Sequence, residues 1–472
     1  MGKLTENEAG VKGKDPQISC RPARELPGGR CESRAASLKA AGAHPPMMPA
    51  IPSSFRPPWL PAAEGVFLVG GCVRDLLLGR TPHDFDLVTL GEARPLAEGI
   101  ARALGGRPVL IGKAPFAVYR VAAGQTTVDV LKAAGERIEE DLRRRDFTVN
   151  ALALEASGGR LIDPAGGMRD LAGRRLAAVS PEAFEHDPLR LLRAFRLAAQ
   201  LDFTIAPETQ AAISARAALL SQPAGERVRE ELYGLLACRR SHPRVAACAA
   251  AGLLPGMLGA AGSSAAAAAE RRLRTLARLE ALLEEDGGLL DPPGGKAVAE
   301  LPAGEMIRLK LAALLRGEAE AAAAAARLRL SRKDAAILDG LSRLAPAAGE
   351  LLARFPATSP RERYAFLREA APVLPGAVFL ALALKEAEHP EAAPGLHKAA
   401  FRLLSDFREG VLAERRRPPL LRGDELQREL GIPPSRLVGR ILDEIALERL
   451  LRPGLSRQEA LAVARAIARK EA

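Results

Sequence analysis

The order of apolar and polar residues near position 70 predicts a strand, a tight turn and a short helix. Residues 66–69 are all apolar, which indicates a buried strand. Gly70 and Gly71 follow directly, and residues 73–78 have the apolar spacing of a helix that a glycine and a proline then end. Glycines at such a turn allow backbone N–H groups to approach a phosphate at the start of the helix.

A second strand begins after this helix, and its polar positions are acidic. Asp84 and Asp86 alternate with Phe85 and Leu87, so strand geometry places the two carboxylates on one face. Neighbouring carboxylates repel each other, and a divalent cation would compensate for that repulsion. Arg74 is close enough in the sequence to add positive charge for a phosphate. The whole stretch therefore predicts a site for a metal ion and a nucleotide.

Helix and strand signals continue to alternate after this site. The pattern predicts a helix at 93–104 and strands at 108–111, 116–122 and 126–131. In the last strand Asp129 lies between Val128 and Val130 and projects to the face opposite them. That face could be the one that carries Asp84 and Asp86, or Asp129 could be a solvated position on an edge strand.

From Pro181 onward helical periodicity replaces the strand signals. The predicted helices span 187–201, 207–220, 226–238, 265–286, 305–328, 332–345, 360–387, 396–415 and 423–466. Before them, three arginines at 143–145 are either a solvated surface or a clamp for phosphate. The coarse architecture is an α/β head followed by a long all-α body.

Length and charge indicate several modules and a negatively charged partner. A chain of 472 residues is too long for one core and predicts about two to four modules. The net charge of +11 and the pI near 9.8 favour a polyanion, nucleic acid first. A general bias towards arginine would produce the same numbers without such a partner.

Cysteine usage and the distribution of apolar residues predict a cytoplasmic protein. The five cysteines form no CxxC pair and are expected to be free thiols in a reducing compartment. There is no run of about 18 apolar residues, so no membrane span is expected, and the N-terminus lacks an apolar signal core. Residues 1–60 are rich in Pro, Gly, Arg and Ser and are predicted to be a disordered extension.

Together these motifs resemble a known family. The segment GGCVRDLLLGRTPHDFDL is similar to the signature of the class II nucleotidyltransferases, which comprise the bacterial tRNA CCA-adding enzymes and their poly(A) polymerase relatives. Four further matches follow in the family's order: Asp129 in TTVDV, then RRRDFTVNAL, HDPLRLLRAFR and GERVREELYGLL. The resemblance covers residues 65–240 specifically and the tail from about 420 more loosely.

The resemblance implies an α+β protein in which a small mixed-sheet, polymerase β-like head precedes a helical neck, body and tail. The implied divisions are a disordered extension at 1–60, a catalytic head at 62–180, a base-reading neck at 181–250, a degenerate HD-like body at 251–410 and a tRNA-binding tail at 411–472.

The resemblance also implies the roles of residues in the head. Asp84 and Asp86 would bind two Mg²⁺ ions, and Asp129 would bind the ion at the attacking hydroxyl. Gly70, Gly71 and Arg74 would hold the triphosphate, and Arg145 the phosphate or sugar. Mg²⁺ completes its shell with phosphate oxygens and water, so three aspartates are enough.

The segment beginning at His186 is implied to read the base. Asp187, Arg190 and Arg193 are predicted to lie on successive turns of one helix, at spacings that make them neighbours. A carboxylate accepts from the amino group of cytosine or adenine, and an arginine donates to the adjacent ring nitrogen or carbonyl, which rejects U and G. Arg196 would serve the triphosphate or only the helix surface. His186 stands where the family commonly has Glu, which leaves the accuracy of base selection open.

The body and tail have weaker signals. IRLKLAALLRGE at 307–318 resembles a phosphohydrolase helix, but Arg316 and Gly317 replace its His-Asp metal pair, so the body is interpreted as a catalytically empty scaffold. Six histidines in the whole chain also argue against a zinc site. In the tail, arginines at 415–417 and 436–440 could meet phosphates or could form an ordinary exposed face.

The function expected from the sequence is a cytoplasmic, Mg²⁺-dependent tRNA nucleotidyltransferase that adds or repairs the 3′-terminal CCA. Its substrates would be CTP, ATP and the tRNA 3′ end, without a membrane partner. The alternatives are an enzyme that adds only A or only CC, a poly(A) polymerase, a non-catalytic RNA-binding protein and, least supported, a phosphohydrolase.

Overall fold

A mixed seven-stranded sheet forms in the first part of the chain, where buried and exposed residues alternate. The structure is a computed structural model that describes residues 56–112, 117–262, 266–284 and 302–471. The strands of the sheet are β1 (Val66–Val69), β2 (Asp84–Thr89), β3 (Pro108–Ile111), β4 (Val118–Ala123), β5 (Thr126–Lys132), β6 (Ala153–Glu155) and β7 (Leu161–Ile162). Their order across the sheet is β3-β4-β5-β2-β1-β6-β7. The neighbours β2 and β5 are parallel, and the other pairs are antiparallel.

Helices cover both faces of this sheet. The head contains α1 (Gly71–Leu77), α2 (Ala93–Leu104), α3 (Ile138–Arg143) and α4 (Gly167–Ala172). Leu87 packs into the large core shared with α1 and α2, whereas Val88 packs into a smaller core with α3. Asp84, Asp86 and Val88 are alternate residues of β2, so their side chains point to the same face of the sheet. Asp84 and Asp86 therefore project on the face away from α1 and α2.

The predicted helices after residue 181 are present, but several are divided. The neck and body contain α5 (Ala183–His186), α6 (Arg190–Leu201), α7 (Pro207–Ala215), α8 (Gly225–Leu236), α9 (His242–Ala250), α10 (Leu254–Leu258), α11 (Ala266–Glu284), α12 (Ala303–Ala313), α13 (Gly317–Arg327), α14 (Arg332–Ala353), α15 (Pro360–Ala370), α16 (Gly376–Glu388), α17 (Ala393–Ser405) and α18 (Ala413–Arg415). The tail contains α19 (Gly423–Leu430), α20 (Arg436–Leu451) and α21 (Arg457–Glu471). A π-helical segment, Asp406–Leu412, joins α17 to α18.

Proline and glycine explain most of the divisions. The single helix predicted at 360–387 was wrong, because Pro375 separates α15 from α16. The single helix predicted at 423–466 was also wrong, because Pro433 and Pro434 separate α19 from α20, and Pro453 and Gly454 separate α20 from α21. The helix predicted at 305–328 is likewise two helices, with Arg316 in extended conformation and Gly317 at φ +73°. In the tail, Ser435 is the N-cap of α20.

Two features near the head differ from the expected division of the chain. Residues 1–55 of the predicted extension lie outside the described residues, but Trp59 and Leu60 pack on the head. The Trp59 ring meets the Phe85 ring edge-on at 5.0 Å. A two-stranded parallel pair, β8 (Arg175–Leu176) with β9 (Thr204–Ile205), also joins the head to the helical neck. Dipeptide strands of this kind carry no periodic signal.

One buried core extends from Leu60 in the head to Val411, and the tail has a separate core around Leu426 and Ile441. In the part of the chain that the structure describes, no single helix is long and apolar enough to cross a membrane. One pair, Pro360–Val373 with Gly376–Glu388, has the length and composition only when taken together and bends by 104° at its break.

A buried ion pair of the body is hydrogen-bonded to the end of the neck. The Lys310 Nζ lies 2.7 Å from Glu280 Oε1, and both side chains are at most 4% exposed. Glu280 also accepts from the N–H and Oγ of Ser241, at 2.8 and 2.6 Å, while Lys310 donates to the Cys238 carbonyl. Burial acts to raise the pKa of Glu280, but the hydrogen bonds from Lys310 and Ser241 outweigh it and hold the pKa below its ordinary value.

We therefore expect Glu280→Ala to destabilise the protein by about 3–5 kcal/mol, because it leaves the Lys310 ammonium buried without its counter-charge. Urea unfolding followed by circular dichroism measures the loss. Glu284→Ala, one turn further along α11, removes an acid that is paired with the exposed Arg240. It is the matched control and should cost less than about 1 kcal/mol. Equal losses in the two variants would contradict the role assigned to the buried pair.

Candidate active site

Three carboxylates share one face of the central strands of the head sheet. The parallel pairing of β2 and β5 sets Asp86 directly beside Asp129, with Asp84 beside Thr127. Asp84 and Asp86 are exposed, while Phe85 and Leu87, which alternate with them, are buried, as predicted. Of the two positions considered for Asp129, the structure supports the one on the face of Asp84 and Asp86.

Asp129 is held by an arginine from the neighbouring strand. Arg120 lies opposite Asp129 in the β4–β5 pair. Its Nε and Nη2 each donate to one oxygen of the Asp129 carboxylate, both at 2.7 Å. Two parallel N–H···O bonds of this kind are the strong, bidentate form of the arginine–carboxylate pair. The guanidinium is therefore part of the acidic cluster.

The environment of Asp86 reflects the crowding of negative charge. Its side chain is accessible from the cleft but surrounded by protein on the other sides. The loss of water raises the pKa of Asp86, and the charges of Asp129 and Asp84 raise it further, while Arg145 and Arg120 act in the opposite direction. An added cation beside Asp86 would act in the same direction as these arginines.

The turn before α1 brings the backbone close to these acids. Gly70 has φ +74° and ψ −134°, a conformation that side-chain-bearing residues rarely adopt. A Cβ atom on Gly70 would lie 2.9 Å from Arg145 Nη1. Gly71 begins α1, and one turn later the Arg74 Nη1 donates to Asn150 Oδ1 at 2.7 Å. The glycine turn therefore leaves room for Arg145 at the edge of the acidic cluster.

Arginines from the neck helix α6 complete the opposite side. Glu231 of α8 is buried and accepts from Arg193 Nε at 2.8 Å and from Arg196 Nε at 2.5 Å. Asp146 lies 3.4 Å from Arg193 Nη1, which joins this fork to the head. The shared acid aims both guanidinium groups to the same side of the helix, so Arg196 belongs to the site and not only to the helix surface.

These elements surround one polar cleft of about 510 Å³. It is lined by Gly70, Gly71, Arg74, Asp84, Asp86, Arg145, Asp146, Asn150, Arg193, Arg196, Leu197 and Gln200. Acids form one part of the lining, and arginines from two domains form the other. Such a cleft can hold a polyphosphate between a cation site and fixed guanidinium groups.

A larger cleft, of about 680 Å³, lies in the body between α14 and α17. Lys398 and Arg402 line it, together with Leu352 and Phe355, and its acidic residue, Asp406, is paired with Arg363. It contains no group of carboxylates, so size does not make it the better candidate for nucleotide chemistry.

Asp129, Asp187 and Arg190 are not among the residues that line the head cleft. The predicted placement of Asp187 on one helix with Arg190 and Arg193 was wrong, whereas Arg190 and Arg193 do share α6. Asp187 has extended backbone after the end of α5, and α6 begins only at Arg190. Pro188 is the physical reason, because a residue before proline is disfavoured in helical conformation. Asp187 instead accepts from the Leu189 N–H at 3.3 Å and from Arg227 Nη2 at 2.9 Å.

Backbone carbonyls hold Arg190. Its Nη1 donates to the carbonyls of Ala183 and Arg145, at 3.2 and 3.3 Å, and its Nη2 donates to that of Arg144 at 3.0 Å. The anchor of Arg190 is therefore main chain, and it does not depend on the residue at position 186, where His186 is exposed.

Four residues near the site carried no signal that sequence reasoning used: Arg120, Asn150, Glu231 and Gln200. Asn150 and Glu231 lie within the matched segments RRRDFTVNAL and GERVREELYGLL and could have been found there. Arg120 acts through a cross-strand pair that only the folded chain reveals.

The donor set suits a divalent cation that brings further ligands with it. Among the described residues, no three acid, histidine or cysteine side chains are gathered so that they would hold a metal ion by themselves. Mg²⁺ commonly takes one or two carboxylates and completes its octahedron with substrate phosphates and water. Asp84 and Asp86 could supply those carboxylates. Asp129 could supply a third, although both of its oxygens also accept hydrogen bonds from Arg120.

Comparison with known proteins agrees with this geometry. The family model described as the poly A polymerase head domain matches residues 66–177, which include all three aspartates. A second model, described as a probable RNA and SrmB-binding site of polymerase A, matches residues 202–258.

The chain is similar to curated proteins over most of its length. It is 34% identical to a CC-adding tRNA nucleotidyltransferase of Geobacter sulfurreducens, and the match covers 80% of this chain and 86% of the relative. It is 32% identical to an A-adding tRNA nucleotidyltransferase of Deinococcus radiodurans, and the match covers 86% of this chain and 96% of the relative. The chain belongs to the tRNA nucleotidyltransferase family. The resemblance identified from the motifs is confirmed, and the protein is a nucleotidyltransferase enzyme.

Solved structures of the family share its fold. A CCA-adding enzyme in complex with CTP superposes with a TM-score of 0.62 at 24% identity, covering 85% of this chain and 90% of the other. The predicted α+β class, with a mixed-sheet head before a helical body, is thus confirmed. In the body, Arg316 pairs with Glu388, and the adjoining Gly317 begins α13.

The glycine turn offers a direct test of the site's local geometry. We expect Gly70→Ala to destabilise the protein by about 1–3 kcal/mol, since it combines a strained backbone with a contact on Arg145. Thermal unfolding measures the change. Gly71→Ala is the matched control, because its added Cβ would make only an ordinary contact, 3.5 Å from Arg74 Nη2. A Gly70→Ala variant as stable as Gly71→Ala would show that the turn is not constrained as described.

Proposed function

We propose that this protein extends the 3′ end of tRNA with the nucleotides of the CCA terminus, taking them from CTP and ATP without a template and releasing pyrophosphate. The observation that carries the proposal is the cleft in which Asp84 and Asp86 face Arg193 and Arg196 across a gap of nucleotide size. A solved CCA-adding enzyme of Thermotoga maritima in complex with tRNA, similar in fold at a TM-score of 0.57, supports the choice of substrate.

In the proposed reaction, the RNA 3′-hydroxyl attacks the α-phosphate of the nucleotide, and the bond to pyrophosphate breaks. Bound Mg²⁺ would lower the pKa of the hydroxyl and neutralise charge on the leaving oxygens. We assign the metal ligands to Asp84, Asp86 and Asp129 on the adjacent strands β2 and β5. Their common face places the carboxylates on the same side of the sheet, which supports catalysis by positioning and electrostatics.

The triphosphate is assigned to the basic side of the cleft. Arg74, held by Asn150, and the arginine pair held by Glu231 present guanidinium groups whose direction is fixed before binding. Arg145 is assigned to the phosphate or sugar, and the backbone of Gly70 and Gly71 allows close approach. Fixed donors lose little conformational freedom when the ligand binds, which favours tight and oriented binding.

Asp187 and Arg190 are assigned to base recognition in the neck. The Asp187 carboxylate already accepts from an N–H donor of Arg227, so it can accept from the exocyclic amino group of cytosine or adenine. Uracil and guanine present a carbonyl at the corresponding position and would meet the carboxylate acceptor to acceptor.

We propose the functional division of the chain as head 62–180, neck 181–250, body 251–410 and tail 411–472, with the body as scaffold and the tail as a tRNA contact. The packing of Trp59 and Leu60 supports moving the start of the head a few residues earlier. The separate core of the tail supports its treatment as a unit.

An activity that adds only CC or only A is the second candidate, because relatives named for these partial activities match most of this chain. CC-adding enzymes of Geobacter sulfurreducens and Synechocystis match 80% and 84% of this chain, and the A-adding enzyme of Deinococcus radiodurans matches 86%. By contrast, the relative named multifunctional CCA protein from Nitrosococcus oceani matches 32% of it, at 44% identity.

Defined tRNA ends separate the candidates. The protein is incubated with Mg²⁺, one nucleotide at a time, and tRNAs that end at the discriminator base, at C or at CC, and the product ends are sequenced. We expect two C additions from CTP and one A addition from ATP on the CC end. Failure on the CC end alone would indicate the CC-adding enzyme, and a long A tract would indicate a poly(A) polymerase.

In the same assay we expect Asp84→Ala and Asp86→Ala to abolish incorporation on every end while tRNA binding, measured by filter retention, changes less than about threefold. Glu92→Ala, which removes an exposed acid paired with Lys132 beyond the end of β2, is the matched control. Wild-type incorporation by either aspartate variant would refute the metal assignment, and equal loss of tRNA binding would point to misfolding.

We expect Asp187→Ala to reduce the preference for CTP and ATP over UTP and GTP by about 10-fold or more, because the acceptor that opposes a carbonyl is lost. Single-nucleotide competition on the discriminator-end tRNA measures the ratio. Asp202→Ala, an exposed acid at the other end of α6, should leave the ratio unchanged. Unaltered selectivity in Asp187→Ala would exclude the base-reading role.

A further inference from the structure

The ion pair between Arg120 and Asp129 lies inside the acidic cluster, where a carboxylate is assigned to a metal ion. Both oxygens of Asp129 accept from the Arg120 fork at 2.7 Å. The Asp129 side chain is 18% exposed and that of Arg120 is 48% exposed, so the arginine approaches from the solvent side. The fork therefore occupies the open approach to Asp129.

Arg120 acts on the whole cluster. The hydrogen bonds to Asp129 raise the pKa of Arg120, and the negative charges of Asp129, Asp84 and Asp86 add to that effect. Arg145, the other cation near Asp86, is joined to Asp141 by its Nε and Nη2. Arg120 is thus the arginine whose fork is directed at one of the three acids.

We propose that Arg120 competes with the divalent cation for Asp129 and thereby sets the affinity of the cation site. This inference rests on the proposed function, because it takes Asp129 to be a metal ligand. A cation that arrives with nucleotide phosphates brings its own ligands and negative charge, so it depends less on Asp129 than a cation that binds alone. Arg120 therefore links strong cation binding to the presence of nucleotide.

Two physical terms support competition. The fork uses one lone pair on each Asp129 oxygen, which leaves fewer directions for a metal ion. A positive guanidinium next to a divalent cation also repels it, and at a partly exposed site such repulsion amounts to more than a few kT. The opposing term is the orientation that the fork gives to Asp129, since an outer partner commonly aids a metal ligand. Because a full positive charge lies on the ligand itself, we expect repulsion to dominate.

The test measures Mn²⁺ binding to the full chain by electron paramagnetic resonance, without nucleotide. We expect Arg120→Gln to bind Mn²⁺ roughly tenfold more tightly than wild type, equal to about 1.4 kcal/mol. Arg120→Lys retains the charge but loses the fork, and its affinity should lie between the two. Arg160→Gln is the matched control, since it removes one positive charge from an exposed pair with Glu155 on the β6–β7 turn.

A second measurement adds CTP and titrates the same signal. The difference between Arg120→Gln and wild type should shrink to less than about threefold, because phosphate oxygens then supply ligands. Unchanged or weaker Mn²⁺ binding in Arg120→Gln without nucleotide would overturn the inference, the weaker case assigning Arg120 to the orientation of Asp129. So would an equal gain in Arg160→Gln, which would reflect net charge alone.

Asp129→Asn distinguishes this inference from the proposed function. If Asp129→Asn changes Mn²⁺ binding neither in the wild-type background nor in the Arg120→Gln background, Asp129 is not a metal ligand, and its assignment fails together with the competition. If Asp129→Asn weakens Mn²⁺ binding but Arg120→Gln does not strengthen it, the metal assignment stands and only the competition fails.

Discussion

Repulsion among three carboxylates on two adjacent strands is the constraint on which the rest of the site depends. The parallel register of β2 and β5 makes Asp86 and Asp129 direct neighbours, so their charges cannot be separated without a change of register. Burying such a cluster is unfavourable unless cations surround it. Arg120 supplies one from β4, and Arg145 supplies another from the segment after α3. These two cations oppose the rise that burial and the neighbouring acids impose on the pKa of Asp86.

The helical neck is arranged to bring further positive charge to the same cleft. Glu231 holds Arg193 and Arg196 together on α6, and the small sheet of β8 and β9 fixes that neck against the head. Two arginines on adjacent turns would otherwise repel each other. A buried acid between them lowers that cost and fixes their direction. The site is therefore a product of two domains, although the acids alone identify the chemistry.

Local patterns predicted what local physics determines. The alternation around Asp84 and Asp86, the glycine turn and the helical body all follow from neighbours in the sequence, and the structure agrees with them. The divisions between helices, including the one at Pro188, also had local signals, and they were missed because apolar periodicity was given more weight than proline. Arg120 could not be predicted in this way, and Glu231, although it lies in a matched segment, has its partners Arg193 and Arg196 on another helix. Their roles come from cross-strand and helix–helix neighbours, which a single sequence does not display.

The departure at His186 illustrates how tertiary contacts change the weight of a motif. A missing acid beside Asp187 would matter if it were needed to anchor Arg190. Three main-chain carbonyls perform that anchoring, and main-chain acceptors are independent of side-chain identity. Asp187 in turn accepts a hydrogen bond from Arg227. During base recognition, one N–H donor to Asp187 would therefore be replaced by another. Under the proposed function, selectivity then depends on the energy of replacing the N–H of Arg227 by the amino group of a base, and the identity of residue 186 has little influence on it.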